Sequence, residues 1–298
     1  MSTPATDPTT DATAPRSTGP SARRTAAPTG SRGRPPGPVR VGLSRGWMEI
    51  RTFAREWESV IFTFSLPALI LVMFASIFDG LYDMGIPTVD YYLPGIIAMG
   101  LMSVSFQTLG TAIAAEREYG TLRRLRGTPM PPSAYFVGKT VLVLFLAFGQ
   151  LALLLAVAGL FFDATLPSTA QAWATIAWVL MLGTIGCSLL GIAISSLART
   201  AQAASAVVVV PFLILQFTSG IFVPVMVLPD WVLNAASLFP LLWMAQGMRA
   251  GFFPDEMAAL EQSGAWDLPM VALALGAWCV VGLVLTLLTF RWKTRKDG

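Results

Sequence analysis

The stretch at residues 114–140, AAEREYGTLRRLRGTPMPPSAYFVGKT, decides the fold. Glu116, Arg117, Glu118, Arg123, Arg124 and Arg126 make it the densest cluster of charge between two long apolar runs. Such a cluster cannot lie in hydrocarbon and must be held in water. It is predicted to be a polar elbow between membrane helices.

The rest of the composition agrees. The chain has 298 residues, 54% hydrophobic and only 12% charged, which leaves too little polar surface for a soluble globule of that size. The fold class predicted is all-α, a polytopic membrane protein. There is no His, which removes His-based triads, His acid/base chemistry and the commonest metal ligand. Cys187 and Cys279 sit far apart in separate apolar runs, so neither a disulfide framework nor a metal site is expected.

Outward from the elbow, six apolar runs lie at residues 59–78, 91–114, 136–161, 173–197, 204–222 and 268–290. Each is close to the roughly 20 residues a spanning helix needs. Pro67 and Pro211 are expected to kink the first and fifth. Residues 1–40 are built from Pro, Thr, Ala, Ser, Gly and Arg and are predicted to be disordered, because they cannot bury enough surface to offset ordering. The bias would also suit a transit peptide, but a basic cytoplasmic tail is the simpler reading. Over 41–58, Leu43, Trp47, Ile50, Ala54 and Trp57 recur at helical spacing among charges, which predicts an amphipathic helix on the membrane surface. An N-terminal extension of the first span is the alternative.

Charge sign fixes the expected orientation. Every Lys and Arg except Arg249 falls in the tail, the surface helix, the elbow, the link at Arg199 or the C-terminus. The opposite loops hold Asp79, Asp83, Asp90, Asp163, Asp230, Asp255, Glu256, Glu261 and Asp267. By the positive-inside rule both termini face the cytoplasm of a multi-pass plasma (inner) membrane protein. Residues 223–267 are then external, with Leu228 to Arg249 forming short helices that re-enter the outer leaflet and break at Pro240. Arg249 is expected to pair with Asp255 or Glu256.

No span has a clear charge at its centre, where ion-coupled carriers place ionisable residues. Energy for transport must enter elsewhere. Gly138-Lys139-Thr140 looks like the end of a phosphate-binding loop, but Ser133 stands where its first glycine belongs and no strand precedes it. No ATPase site of the chain's own is expected, and Lys139 reads as an interfacial anchor.

At these residues a family resemblance becomes specific. Glu116, Arg117, Glu118, Tyr119, Gly120, Thr121 and Leu122, then Leu125, Thr128-Pro129 and Gly138-Lys139, resemble the first cytoplasmic loop of type-2 ABC exporter permeases of the daunorubicin-resistance kind. Gly220, Phe222, Pro224, Pro229, Trp231, Pro240 and Arg249 are similar to the family's signature around the fifth span and the segment after it. The resemblance implies a six-helix permease domain over 59–298, with 115–135 as a coupling loop and no cofactor of its own. ATP and magnesium would belong to a separate ABC ATPase subunit, present in two copies beside a second permease, identical or homologous. Glu116, Arg117, Glu118, Tyr119, Gly120, Thr121, Leu122 and Leu125 would couple to that ATPase. Spans two and five face the dimer axis in the family, which makes Phe106, Gln107, Phe212, Gln216 and Phe217 candidates for a substrate path. Pro229, Pro240 and Arg249 carry the external motif.

The expected cargo is a hydrophobic or amphipathic compound, drug- or antibiotic-like, moved outward as in multidrug efflux and antibiotic resistance; a lipid or lipid-linked glycan is the alternative. A nucleic-acid partner is not expected. From other classes, a non-transporting scaffold stays open, while a membrane-embedded enzyme lacks convergent acid, base or metal ligands.

Overall fold

The structure, a computed structural model, describes residues 37–78, 86–128, 130–198 and 200–290. The predicted tail lies outside the described residues up to residue 36, and so does the basic C-terminal cluster. Residues 38–40, assigned to the tail by sequence, already belong to the first helix.

Every regular element among the described residues is helical. Helix α1, Pro38–Arg55, starts with a proline in its first turn, where the missing N–H is not needed. It stops at Glu56, whose φ of −89° and ψ of 72° leave the helical region, and α2 follows over Trp57–Ile77. The surface helix is therefore a separate element and not an extension of the first span. Next come α3 (Thr88–Met102), a π-helical stretch (Ser103–Thr108) and α4 (Leu109–Glu118), which form one continuous helix of 31 residues. A six-residue helix, α5 (Thr121–Arg126), precedes α6 (Pro132–Phe161, 30 residues). After α6 lie α7 (Ala170–Ser195) and α8 (Ala201–Thr218). Two short helices, α9 (Asp230–Ala236) and α10 (Pro240–Phe252), lead to α11 (Leu268–Thr289).

Five of these helices are long and apolar enough to cross a membrane: α2, α3–α4, α6, α7 and α11. The predicted fifth span corresponds to α8, whose apolar stretch Gln202–Thr218 is shorter. Pro67 and Pro211 lie inside α2 and α8. At about 1.5 Å per residue, α3–α4 and α6 are each roughly 45 Å long, some 15 Å more than a hydrocarbon core. That surplus lets both helices project into water, and their facing ends carry the elbow.

Helix α3 is the centre of the bundle, with every residue from Thr88 to Met102 buried. Its apolar residues pack with Leu71 of α2, Leu146 and Leu154 of α6, Val179 and Leu180 of α7, and Met244 and Met248 of α10. By contrast α2 and α11 keep most of their apolar surface on the outside of the chain. Between the π-helical stretch and α7 the approach is close enough to require glycine. A Cβ on Gly191 would lie 2.7 Å from the carbonyl oxygen of Phe106, well inside contact distance, so the backbones meet directly.

A similar approach places α1. Gly42 and Gly46 face α6, where a Cβ would come within 2.5 Å and 2.7 Å of Val137 and Val141. The sequence reading put Leu43, Trp47 and Ile50 on one apolar face. In the structure Ile50 turns to the protein while Leu43 and Trp47 stay about half exposed, because the glycines give α1 a flatter side to lay on α6.

In the segment after α8 the short helices break at Pro240, as predicted, and Pro229 and Pro240 each sit at a helix start. Arg249 does not pair with Asp255 or Glu256. It donates from Nε and Nη2 to the two carboxylate oxygens of Glu261, the second bond at 3.0 Å. The reason is burial: Arg249 and Glu261 are both buried, whereas Asp255 and Glu256 stay exposed.

Candidate functional site

The elbow is built by two chain reversals. Helix α4 ends at Glu118, and Gly120 turns the chain with a φ of 74°, a left-handed geometry that glycine adopts without strain. Helix α5 follows at once and stops at Gly127; the hydroxyl of Thr128 donates to the Leu125 carbonyl at 2.6 Å.

The residues proposed for this loop divide into two sets. Glu116 points inward, accepting from the Tyr135 hydroxyl at 2.7 Å and from Lys139 Nζ at 2.5 Å. Arg117 also points inward; its Nη2 donates to the carbonyls of Ser195 and Ala198, the latter at 3.2 Å. It thereby satisfies acceptors at the C-terminal end of α7, where a cation is favoured. Leu122 is 1% exposed and packs with Leu109, Ile113, Tyr135, Val143 and Ile192, with Leu125 against the edge of that cluster. These side chains hold the elbow in place from behind.

The outer set is Glu118, Tyr119, Arg123 and Arg124, all exposed. Tyr119 is 73% exposed, an aromatic ring standing in water between charges of both signs. The sequence reading treated Glu116 and Glu118 alike. The alternation of inward and outward residues was legible only with the partners of Glu116 in view, since Tyr135 and Lys139 are 19 and 23 residues away.

Lys139 is not a snorkelling anchor. It is 4% exposed, because α1 covers it, and its ammonium lies 3.0 Å from Glu49 Oε2 on α1 as well as against Glu116. Arg45 completes an alternating row, 3.0 Å from Glu49 Oε1, with its guanidinium 5.3 Å above the Tyr135 ring. Sequence reasoning missed this cluster; the clue was a pair of acids and bases on α1 at helical spacing with Gly42 and Gly46 beside them. Gly138, Lys139 and Thr140 are all helical, so they form no phosphate loop.

The residues proposed for a substrate path are not all brought together. Phe106 and Phe212 are buried in one apolar cluster at α3–α4 and α8, and Gln216 is buried while Gln107 is half-buried. Phe217 is 54% exposed and packs edge-on against Phe222 at 5.1 Å. It belongs to an aromatic group at the other end of the bundle, where Phe222 meets Phe74 and Phe74 meets Tyr92. Gln150, also buried, makes no hydrogen bond from either amide atom.

At that far end a cavity of about 220 Å3 is lined by Trp243, Gln246, Arg249, Glu261 and Asp267, among others. Burial disfavours the Arg249 charge, and Glu261 beside it more than offsets this, so the guanidinium is held above its ordinary range. Gln246 donates to the Trp266 carbonyl at 3.0 Å. Arg249 and Glu261 in its wall are thus satisfied by one another. No cluster of His, Cys, Asp or Glu suited to a metal occurs among the described residues.

The family described as ABC-2 type transporter matches residues 44–253. The chain is 24% identical over 253 residues to the inner membrane transport permease YadH of Escherichia coli (strain K12), covering 81% of this chain and 94% of that protein. It is 26% identical over 198 residues to the probable multidrug ABC transporter permease YbhR of the same strain, covering 64% of this chain and 52% of that protein.

Proposed function

This chain belongs to the ABC-2 type transporter family, and from that membership we propose that it moves a hydrophobic or amphipathic compound outward on the energy of a separate ATPase. Its place as the multi-pass membrane subunit of an ABC transporter follows from the family. What is proposed beyond that is the cargo class and the site of coupling. The name carried by YbhR supports a drug-like cargo. So does the sparse polarity of the central helices.

The observation that carries the coupling reading is the two-sided elbow. An exposed Tyr119, flanked by Glu118, Arg123 and Arg124, stands on a base that Glu116, Arg117 and Leu122 tie into the bundle. A rigid aromatic with charges around it suits protein docking, where Tyr and Arg carry much of the binding energy. Because its base is tied to α6 and α7, a push on the tip reaches the spans without first bending the loop. Nucleotide in the ATPase would then bias two packings of the helices, one open to each side.

Co-purification in mild detergent, with the ATPase subunit expressed alongside, tests this. The ATPase is expected to elute with the wild-type chain and to be lost from a Tyr119→Ala, Arg124→Glu variant. Cargo efflux from cells should require both subunits. Retention of the ATPase by that variant would move the docking site elsewhere. ATP turnover by the purified chain alone would sink the reading altogether.

A further inference from the structure

Lys139 sits between two carboxylates that belong to different parts of the fold. Glu49 is on α1 and Glu116 on α4, and the ammonium reaches them at 3.0 Å and 2.5 Å. The two contacts differ in kind. Helix α1 is seated on α6 by Gly42 and Gly46 at distances that leave no slack, so Glu49 and Lys139 are held together by backbone packing. Helix α4 is seated instead on α7, through Gly110 against Gly191 and through Arg117 on the α7 end. Glu116 therefore joins the elbow ends of two helix pairs, α1 with α6 and α4 with α7, away from the level at which α3 packs on Leu146 and Leu154 of α6, and it does so at the foot of the elbow.

We infer that the Glu116–Lys139 contact is a releasable clasp between those two ends, and that Glu49 is the group that lets it open. A buried ammonium that lost its only carboxylate would be stranded, which is strongly unfavourable. Lys139 avoids this because Glu49 stays beside it. Glu116 avoids it because its side chain is 23% exposed, against 5% for Lys139, and can rehydrate from the cytoplasmic side of the elbow. Arg45 keeps Glu49 neutralised throughout. The row Arg45, Glu49, Lys139, Glu116 alternates in sign, so removing its last member leaves the other three still alternating. Tyr135 rests its ring near both cations, 5.3 Å from the Arg45 guanidinium and 5.6 Å from the Lys139 ammonium, and its hydroxyl closes the clasp on the second oxygen of Glu116. In this assignment Glu116 and Glu49 are positioning residues with opposite effects, and the assignment rests on the elbow being where work enters.

Two isosteric substitutions separate the clasp from an ordinary structural ion pair. Glu116→Gln removes the carboxylate that leaves, and Glu49→Gln removes the one that stays. Nitroxide labels at Ser44→Cys on α1 and Leu197→Cys just past the end of α7, both exposed positions, report the separation by pulsed electron spin resonance, with Cys187 and Cys279 replaced by Ala. In the permease alone in lipid nanodiscs, Glu116→Gln is expected to shift the distribution to longer distance, and Lys139→Arg to leave it as in wild type. In the complex with its ATPase, trapping with ATP and vanadate is expected to lengthen the wild-type distance but not that of Glu49→Gln, whose clasp cannot open without stranding Lys139. Unchanged distances in Glu116→Gln, or equal lengthening on trapping in wild type and Glu49→Gln, would overturn the inference. Should no ATPase associate, the coupling reading fails separately, and the nanodisc comparison still decides the clasp.

Discussion

Replacing Glu261 by Ala is the sharpest test of how the segment between α8 and α11 is held. Its carboxylate takes two hydrogen bonds from Arg249, and the two side chains are 5% and 3% exposed. Removing one member of such a pair leaves a buried charge without compensation, at a cost of roughly 3–5 kcal/mol. For a chain of this size about 2–4 °C accompanies each kcal/mol, so the midpoint should fall on the order of 10 °C. The chain supplies its own reporters, since Cys187 is buried in α7 and Cys279 is half-buried in α11. A thiol-reactive fluorophore added during a temperature ramp in detergent will read their exposure. Arg249→Met combined with Glu261→Met should be more stable than either single change, because an apolar pair strands no charge. The pH dependence has a definite sign. Arg249 in the folded chain is held above its ordinary range, so the stability its ionisation supplies is complete below that range and lost only above it. Between neutrality and pH 10 the midpoint gap between wild type and Glu261→Ala should stay constant from this source. A fall of less than about 2 °C in Glu261→Ala, too small for one kcal/mol, or single effects that simply add in the double variant, would refute the argument.

Other consequences use the same thermal assay. Gly191→Ala places a methyl 2.7 Å from the Phe106 carbonyl oxygen and should cost about 1–3 kcal/mol, whereas Gly276→Ala, with nothing within 4 Å, should be neutral or gain up to about 1 kcal/mol of helix propensity. Gln150→Met removes a buried amide whose polar atoms have no partner and should be neutral or stabilising by about 1–3 kcal/mol; a clear loss would show that the amide is bonded in the membrane. Gly46→Leu should lift α1 from α6, seen as faster proteolysis at the exposed Arg51 and Arg55, and no change in cleavage would show that α1 is held by something other than that face.

The sequence carried the spans well because their signal is strong and local. Apolar runs of near twenty residues flanked by Lys and Arg have few alternative structures, and the boundaries of α2, α6, α7 and α11 fall within a few residues of the runs. Pro240 likewise marked the break between α9 and α10 because a proline cannot continue a helix from the preceding turn. The inner lining of the elbow was not legible, for a physical reason. Glu116 and Glu118 differ by two positions on a helix, which turns them to opposite sides, but which side faces the bundle depends on Tyr135 and Lys139 arriving from the next span. Arg249 went to the wrong acid by the same logic. Asp255 and Glu256 are nearer in sequence, yet pairing in a buried site is set by which acid the fold also buries, and that is Glu261.

The placement of charge along the long helices ties the fold to the proposed energy source. Among the described residues of the five long apolar helices, charged side chains stand only near the ends. Asp90 is in the first turn of α3, Glu58 in that of α2, Glu116, Arg117 and Glu118 in the last turn of α4, and Lys139 two turns into α6. Two turns are roughly 11 Å, which is less than the roughly 15 Å by which α6 exceeds a hydrocarbon core, so even Lys139 can sit at headgroup depth. A coupling ion needs a ladder of ionisable groups through the core, and these helices hold none. Three of these charges instead fix an end: Asp90 accepts from the Thr165 backbone at 3.0 Å, Arg117 holds α7, and Lys139 holds α1 against α4. A bundle whose ionic contacts are confined to its ends can be rearranged from an end, by exchanging a few of those contacts while the apolar middle slides. At the elbow end Glu49 and Glu116 converge on Lys139, so on the coupling proposed above an applied push would act where α1, α4 and α6 share one buried cation.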